Sequence, residues 1–353
     1  MSLAGQAATY SYSDLSPGGP MSSFGYATAG NQQVGDGYGP STGYAAHAFL
    51  WFGTASSLVD LNPSGISYSI ARDIFGGQQF GYGSGSATGN NEHALLWSGA
   101  ATGVVDLNPS GFTTSQGFAL SGSQKVGIGS GPGMGGNNHA LLWSGTANSA
   151  TDLNPGGFTN SLAFAISGSQ QVGYGYGPST GNNTHALLWS GTAGSVVDLN
   201  PSGFTSSHGI RNSGGQQVGD GTPASGVFSH ALLWSGTANS VVDLNPSGFT
   251  QSLARGIFGN QQVGYGSGFA TGTNEHALLW SGTASSVVDL HSFLSSDYKF
   301  SEAQAIDANG NIAGQAYYLP TSSWHAMLWT IPEPGTATLL VLGGVALLVR
   351  RHF

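Results

Sequence analysis

The chain has 353 residues, enough for one large β domain or two ordinary ones, and pairs only 7% charged residues with an ordinary 39% hydrophobic fraction. That profile differs from the low-hydrophobicity, high-charge mark of disorder. With a net charge of −9 and no cysteine, it lacks the cations to neutralise a phosphate backbone, so no nucleic-acid partner is expected, and it lacks disulfides, thiolate metal sites and thiol nucleophiles.

Glycine is the outlier, at 59 residues interspersed with Trp, Tyr, Phe and Val. This points to many short strands joined by tight turns, because glycine reaches positive φ at little steric cost. Near the N-terminus, "ATYSYSDLSP" (residues 8–17) stands where later units have "TASSVVDLNP". A pentapeptide His-Ala-X-Leu-Trp then begins at His47, His93, His139, His185, His230, His276 and His325. Thirteen residues after each of the first six lies an Asp-Leu pair, at Asp60, Asp106, Asp152, Asp198, Asp243 and Asp289. A degenerate seventh copy begins at Asp14, with no histidine before it. A third marker, "QQVGYG" and its variants, starts at Gln32, Gln78, Gln124, Gln170, Gln216 and Gln261.

Each unit reads as four short strands. "HALLWSG" and "SVVDL" are apolar, β-branched runs, "SLARGIFG" and "QQVGYGSG" alternate apolar and small residues, and "LNPSGF" is a turn. No stretch before residue 335 has helical apolar spacing, so helix content in the repeats is expected near zero. Four strands per unit of about 45 residues is the periodicity of propeller blades such as WD40. The expected fold is therefore all-β: a seven-bladed β-propeller of ~46-residue repeats over residues 1–330, with one C-terminal transmembrane helix in residues 331–353. The N-terminal strand, 8–17, would complete the last blade and close the ring without a covalent bond. An open β-solenoid is the alternative.

Seven equivalent histidines suggest a metal ring, but donors on separate blades do not converge. The favoured reading pairs each His with the Asp 13 residues later, across adjacent strands, as the partner a buried carboxylate needs. No metal or cofactor is expected. Tryptophans four positions after each histidine share its face of the strand and are read as core aromatics, with sugar-stacking platforms as the alternative. Two variable loops, Gly81–Glu92 and Gly264–Glu275, supply Tyr82 and Tyr265 as candidate ligand contacts, against a plain solvated turn. No catalytic constellation stands out. There is no Gly-X-Ser-X-Gly in a strand-to-helix context, and before the tail the only glutamates are Glu92, Glu275 and Glu302. The chain is read as a non-enzyme.

The tail begins with Pro332, Glu333 and Pro334, continues through an uncharged run from Gly335 to Val349, and meets Arg350 and Arg351. As a helix at about 1.5 Å per residue the run reaches roughly 22 Å, against a bilayer core near 30 Å. Its terminal position, with cations behind it, favours a membrane anchor whose arginines stay cytoplasmic. This order of triplet, apolar run and arginine pair resembles the PEP-CTERM sorting signal of exported bacterial proteins. The resemblance implies recognition and cleavage near the triplet by an exosortase-type protease. The released protein would join the cell surface or an exopolysaccharide-containing matrix. His47-Ala48-Phe49 and its equivalents resemble the HAF-type extracellular repeat, although most copies here read His-Ala-Leu.

An exported precursor is expected to begin with a basic and apolar leader, which "MSLAGQAATYSYSDL" does not supply. Three functions follow: an exported non-enzymatic scaffold, a lectin-like carbohydrate binder, and a polysaccharide-acting enzyme. Near-identity between units points to recent duplication, and unit-level differences are expected to carry little functional information.

Overall fold

The computed structural model describes residues 9–19 and 21–331. Pro332, Glu333 and Pro334, the apolar run, and Arg350 and Arg351 lie outside the described residues, and so does the expected transmembrane helix. Among the described residues no helix is long and apolar enough to cross a membrane, and the helical elements are single 3-10 turns of three or four residues.

Seven four-stranded antiparallel sheets make a seven-bladed β-propeller. The fourth blade illustrates the local logic. Its first strand, Asn160–Ser167, turns at Gly168 (φ +58°) into a second, Gln170–Tyr176, the positive φ that a tight hairpin favours. Gly173 in that second strand lies against the first. A Cβ there would come within 1.8 Å of the Leu162 carbonyl oxygen, and glycine stands at the matching place in every blade. The third strand, His185–Trp189, is apolar after its histidine, is buried along that apolar run, and packs against the first strand of the next blade. The outer strand is only Val197–Asp198, and a very short edge is a safe edge.

The ring closes as a propeller. Ser11–Asp14 adds to the last strand, Ser323–Thr330, in antiparallel register from Ser11↔Thr330 to Asp14↔Met327. Asp14 thereby meets the histidine that its own stretch of chain lacks: His325 Nδ1 lies 2.7 Å from Asp14 Oδ2. Tyr298 donates to the same oxygen at 2.8 Å.

In the other six blades the His–Asp distance is 2.6–2.7 Å, as in His47–Asp60 and His93–Asp106. These carboxylates are not buried, contrary to the reasoning that led to the pairs: the Asp60 side chain is 47% exposed. Solvent screens such pairs to at most about 1 kcal/mol. Each Asp also holds the chain at the start of the next turn, since Oδ1 of Asp60, Asp152 and Asp198 accepts from the backbone N–H two residues on.

The repeat tryptophans Trp51, Trp97, Trp143, Trp189, Trp234, Trp280 and Trp329 are fully buried in the blade cores, so they offer no face to a sugar. Neighbouring blades are linked by a serine in each first strand. Ser161 Oγ accepts from the Ala140 N–H of the preceding blade at 3.1 Å, and Ser23 closes the circuit by accepting from Ala326 at 2.9 Å.

Candidate functional site: the central channel

The first strands of neighbouring blades touch one another around the axis, so their axis-facing side chains line the channel. Every first strand carries a bulge at the same place in its pairing with the second, between Gly25 and Ala27, Ala71 and Asp73, Gly117 and Ala119, Ala163 and Ala165, Gly209 and Arg211, Ala254 and Gly256, and Ala303 and Ala305, and three of them have a further irregularity near their start. The extra residue of a bulge is freed from the ladder and re-aimed. Here the seven freed residues are Tyr26, Arg72, Phe118, Phe164, Ile210, Arg255 and Gln304. All seven line one cavity of about 280 Å³, joined by Arg211 and Tyr265.

A smaller cavity of about 140 Å³ continues along the channel between small side chains such as Ala119 and Ala165, and Arg211 borders both.

The wall is aromatic and cationic. Phe118 and Phe164 stack with centroids 4.7 Å apart, and Phe164 stacks on Tyr174 at 5.3 Å. The Arg72 guanidinium lies 4.5 Å over the Tyr26 ring. Arg255 lies over Tyr265 and donates to its hydroxyl at 3.0 Å. Arg211 donates to the Phe164 carbonyl at 3.3 Å. Five Lys and Arg residues precede Arg350 in the whole sequence, and three of them are these.

Carboxyl groups stand close by. Asp36 and Asp220 lie on second strands opposite Phe24 and His208, whereas Glu302 lies on a first strand opposite Gln315. His208 Nδ1 is 3.0 Å from Asp220 Oδ2. Burial pushes the Asp36 carboxyl up to about 6, opposed by the Tyr26 hydroxyl and Arg72. Burial likewise lifts Glu302 to about 6, aided by the charge of Glu275 and opposed by Arg255. Gln315 and Gln304 donate to Glu302 at 2.7 and 2.9 Å. Burial also raises Asp73, against the pull of Arg211.

The two tyrosines proposed as loop contacts are strand residues. Tyr82 sits in Gln78–Ser84 and Tyr265 in Gln261–Gly268, each paired to a first strand, at Ile70↔Tyr82 and Leu253↔Tyr265. Tyr265 lines the cavity, and Tyr82 makes an edge contact with Phe118 at 6.4 Å. Both are on the channel side because the fifth residue of "QQVGYG" alternates toward the axis. Glu92, at the end of the loop, is engaged by the Tyr68 hydroxyl and the Gln116 amide.

The arginines and the aromatic stack were not singled out from the sequence. Their signal lay in disagreement among the units. The serine column (Ser23, Ser69, Ser115, Ser161, Ser207, Ser252, Ser301) and the glycine column (Gly35, Gly81, Gly127, Gly173, Gly219, Gly264, Gly314) are uniform, whereas the bulge column reads Tyr, Arg, Phe, Phe, Ile, Arg, Gln. The differences in this column thus fall at side chains that meet in the cavity. One tryptophan, Trp324, falls outside the repeat column. It packs with Phe24, Phe300 and Tyr317 at centroid distances of 5.6–6.5 Å.

No family model matches the sequence, and no curated protein matches it. Solved structures resemble its fold at low identity. A puromycin-hydrolysing peptidase from Mycobacterium tuberculosis aligns over 86% of this chain and 52% of its own, with a TM-score of 0.58 and 11% identity. A puromycin hydrolase mutant in complex with PGG aligns over 89% and 54%, with a TM-score of 0.56 and 10% identity. The chain thus spans about half the length of these two enzymes. The β-propeller domain of the Trilobed protease from Pyrococcus furiosus aligns over 87% and 95%, with a TM-score of 0.58 and 8% identity. That domain is described as having an open velcro topology, whereas here Ser11–Asp14 closes the last sheet. At these identities the likeness is one of fold.

Proposed function

We propose that this chain is an exported, non-enzymatic binding propeller of the cell surface or extracellular matrix, with its ligand held in the central channel. The observation that carries the binding reading is the bulge column. Near-repeated units keep their serines, glycines and tryptophans, and differ at the seven side chains that meet in one cavity. A pure scaffold would have no use for such differences at a shared interior surface. The export reading rests on the order of Pro332-Glu333-Pro334, the apolar run and Arg350-Arg351. The C-terminal helix would hold the precursor in the membrane until an exosortase-type protease acts. Extracellular polysaccharide is the partner such a location would offer.

The channel test uses the full chain and its Ile210→Trp variant, which adds bulk to the open cavity. Binding of matrix polysaccharide should be lost in the variant while the unfolding midpoint stays within a few degrees of the parent. Binding that survives would move the site elsewhere. Release of glycan products by the purified chain would overturn the non-enzymatic reading. Mass spectrometry of the surface-released protein tests sorting: a C-terminus that retains Arg350-Arg351 counts against cleavage.

A further inference from the structure

We propose that the channel ligand is a monoanionic sugar acid, a uronic acid unit, with its ring against the Phe118–Phe164 stack and its carboxylate toward Arg72, Arg211 and Arg255. This inference rests on the channel-binding reading and names the ligand class. Each guanidinium has five N–H donors. Among the described residues, the three arginines make two hydrogen bonds in total, from Arg211 to the Phe164 carbonyl and from Arg255 to the Tyr265 hydroxyl. Every ion pair within 4 Å among the described residues is a His–Asp pair, so none of the three is matched to a carboxylate. A chain with so few cations places three of them, with most donors free, around one cavity. A planar fork of donors suits a carboxylate in two-point contact.

The charge of the ligand follows from the acids near the arginines. Asp36, Asp73, Asp220 and Glu302 all lie close enough to act on Tyr26, Arg211, Arg255 or their neighbours. Four acids around three arginines leave no surplus positive field, so a phosphate dianion is opposed and a single negative charge is held by direct two-point contact with a guanidinium. The rest of the ligand follows from the wall. Phe164 is stacked on both faces, so Phe118 and the ring edges of the pair meet the apolar side of a sugar ring, and Gln304 supplies a cavity-lining amide for hydroxyls. A cavity of about 280 Å³ sits at the small end of ligand pockets, matching one ring rather than a run of them.

Calorimetry with the full chain at pH 7 tests this. The probes are short oligosaccharides containing glucuronate or galacturonate, their neutral glucose or galactose counterparts, and inorganic phosphate. The uronate probes should bind at least about tenfold tighter than the neutral ones, the increment of a charge-assisted pair. Arg72→Gln and Arg255→Gln should each erase that preference, and Arg255→Lys should restore part of it. Equal affinity for uronate and neutral probes would overturn the sugar-acid inference and leave the channel-binding reading in place. Phosphate binding as tightly as the uronates would overturn the saccharide part. No binding of any saccharide, with the parent chain folded, would sink this inference and the lectin-like reading together. The comparison of probes on the parent chain is decisive even if a variant fails to fold.

Discussion

Glu302 shows what a single side chain contributes to the channel. Its carboxyl is pushed up to about 6 first by burial, then by Glu275, while Arg255 and two glutamine amides oppose the rise. A raised carboxyl favours the folded state only while it holds its proton, below the unfolded value near 4.3. That contribution is lost as pH rises through about 6. Glu302→Gln keeps the shape and the neutral form, so it should stabilise the protein above pH 6 by up to roughly 2 kcal/mol, with little change near pH 4. Urea unfolding at pH 4.5 and 7.5 checks this, and equal shifts at both would refute it. The repeat residues His47, Asp60 and Trp51 were legible in sequence as a spacing. Arg72 and Arg255 were not, because periodicity says which residues share a face and not which face meets the axis.

At the scale of the strand, one glycine and one bulge act together. The second strand comes so close to the first that Gly173 meets the Leu162 carbonyl where a Cβ would lie. One residue on, the first strand bulges and releases Phe164 toward the channel. Gly173→Ala must push the strands apart or rotate the peptide, a strain of about 1–3 kcal/mol typical of overpacking. Because the same shift moves Phe164, it should also disturb the Phe118–Phe164 stack. Thermal unfolding together with near-ultraviolet dichroism reads both effects; an unchanged aromatic signal would separate bulge from glycine. The four-strand unit and its hairpins were visible in "SLARGIFG" and "QQVGYGSG". The bulge was not, since an unpaired extra residue leaves no trace in a pattern of alternation.

Across the whole molecule, the closure was foreseen from phasing: a unit that starts in its middle and a last unit that lacks its outer strand. The structure adds the chemistry of the seam. Burial works to raise the Asp14 carboxyl, but the bonds from His325, the Ser16 backbone and Tyr298 outweigh it and hold the group below its ordinary value. A depressed carboxylate contributes stability above its unfolded pKa and loses it as pH falls through the folded value. Acid should therefore loosen the seventh blade. Asp14→Asn should lower the unfolding midpoint at pH 7 and flatten its decline between pH 5 and 3. Hydrogen exchange should localise the weakening to Ser323–Thr330. Exchange spread evenly over all blades would count against a local seam. The tail that follows Ile331 lies outside the described residues, and its reading as an address is a proposal made from residue order alone.

The seam also has a mechanical character. Ser11 faces Thr330 at one end of the closing pair, so both ends of the ring leave from the same corner. A pull between them would load the four rungs one after another, like a zip, rather than all at once in shear. Tension applied through the ends would therefore be relieved at this corner before it reached the channel. While the seam yields, the other six sheets, each built from a single continuous stretch of chain, keep their order.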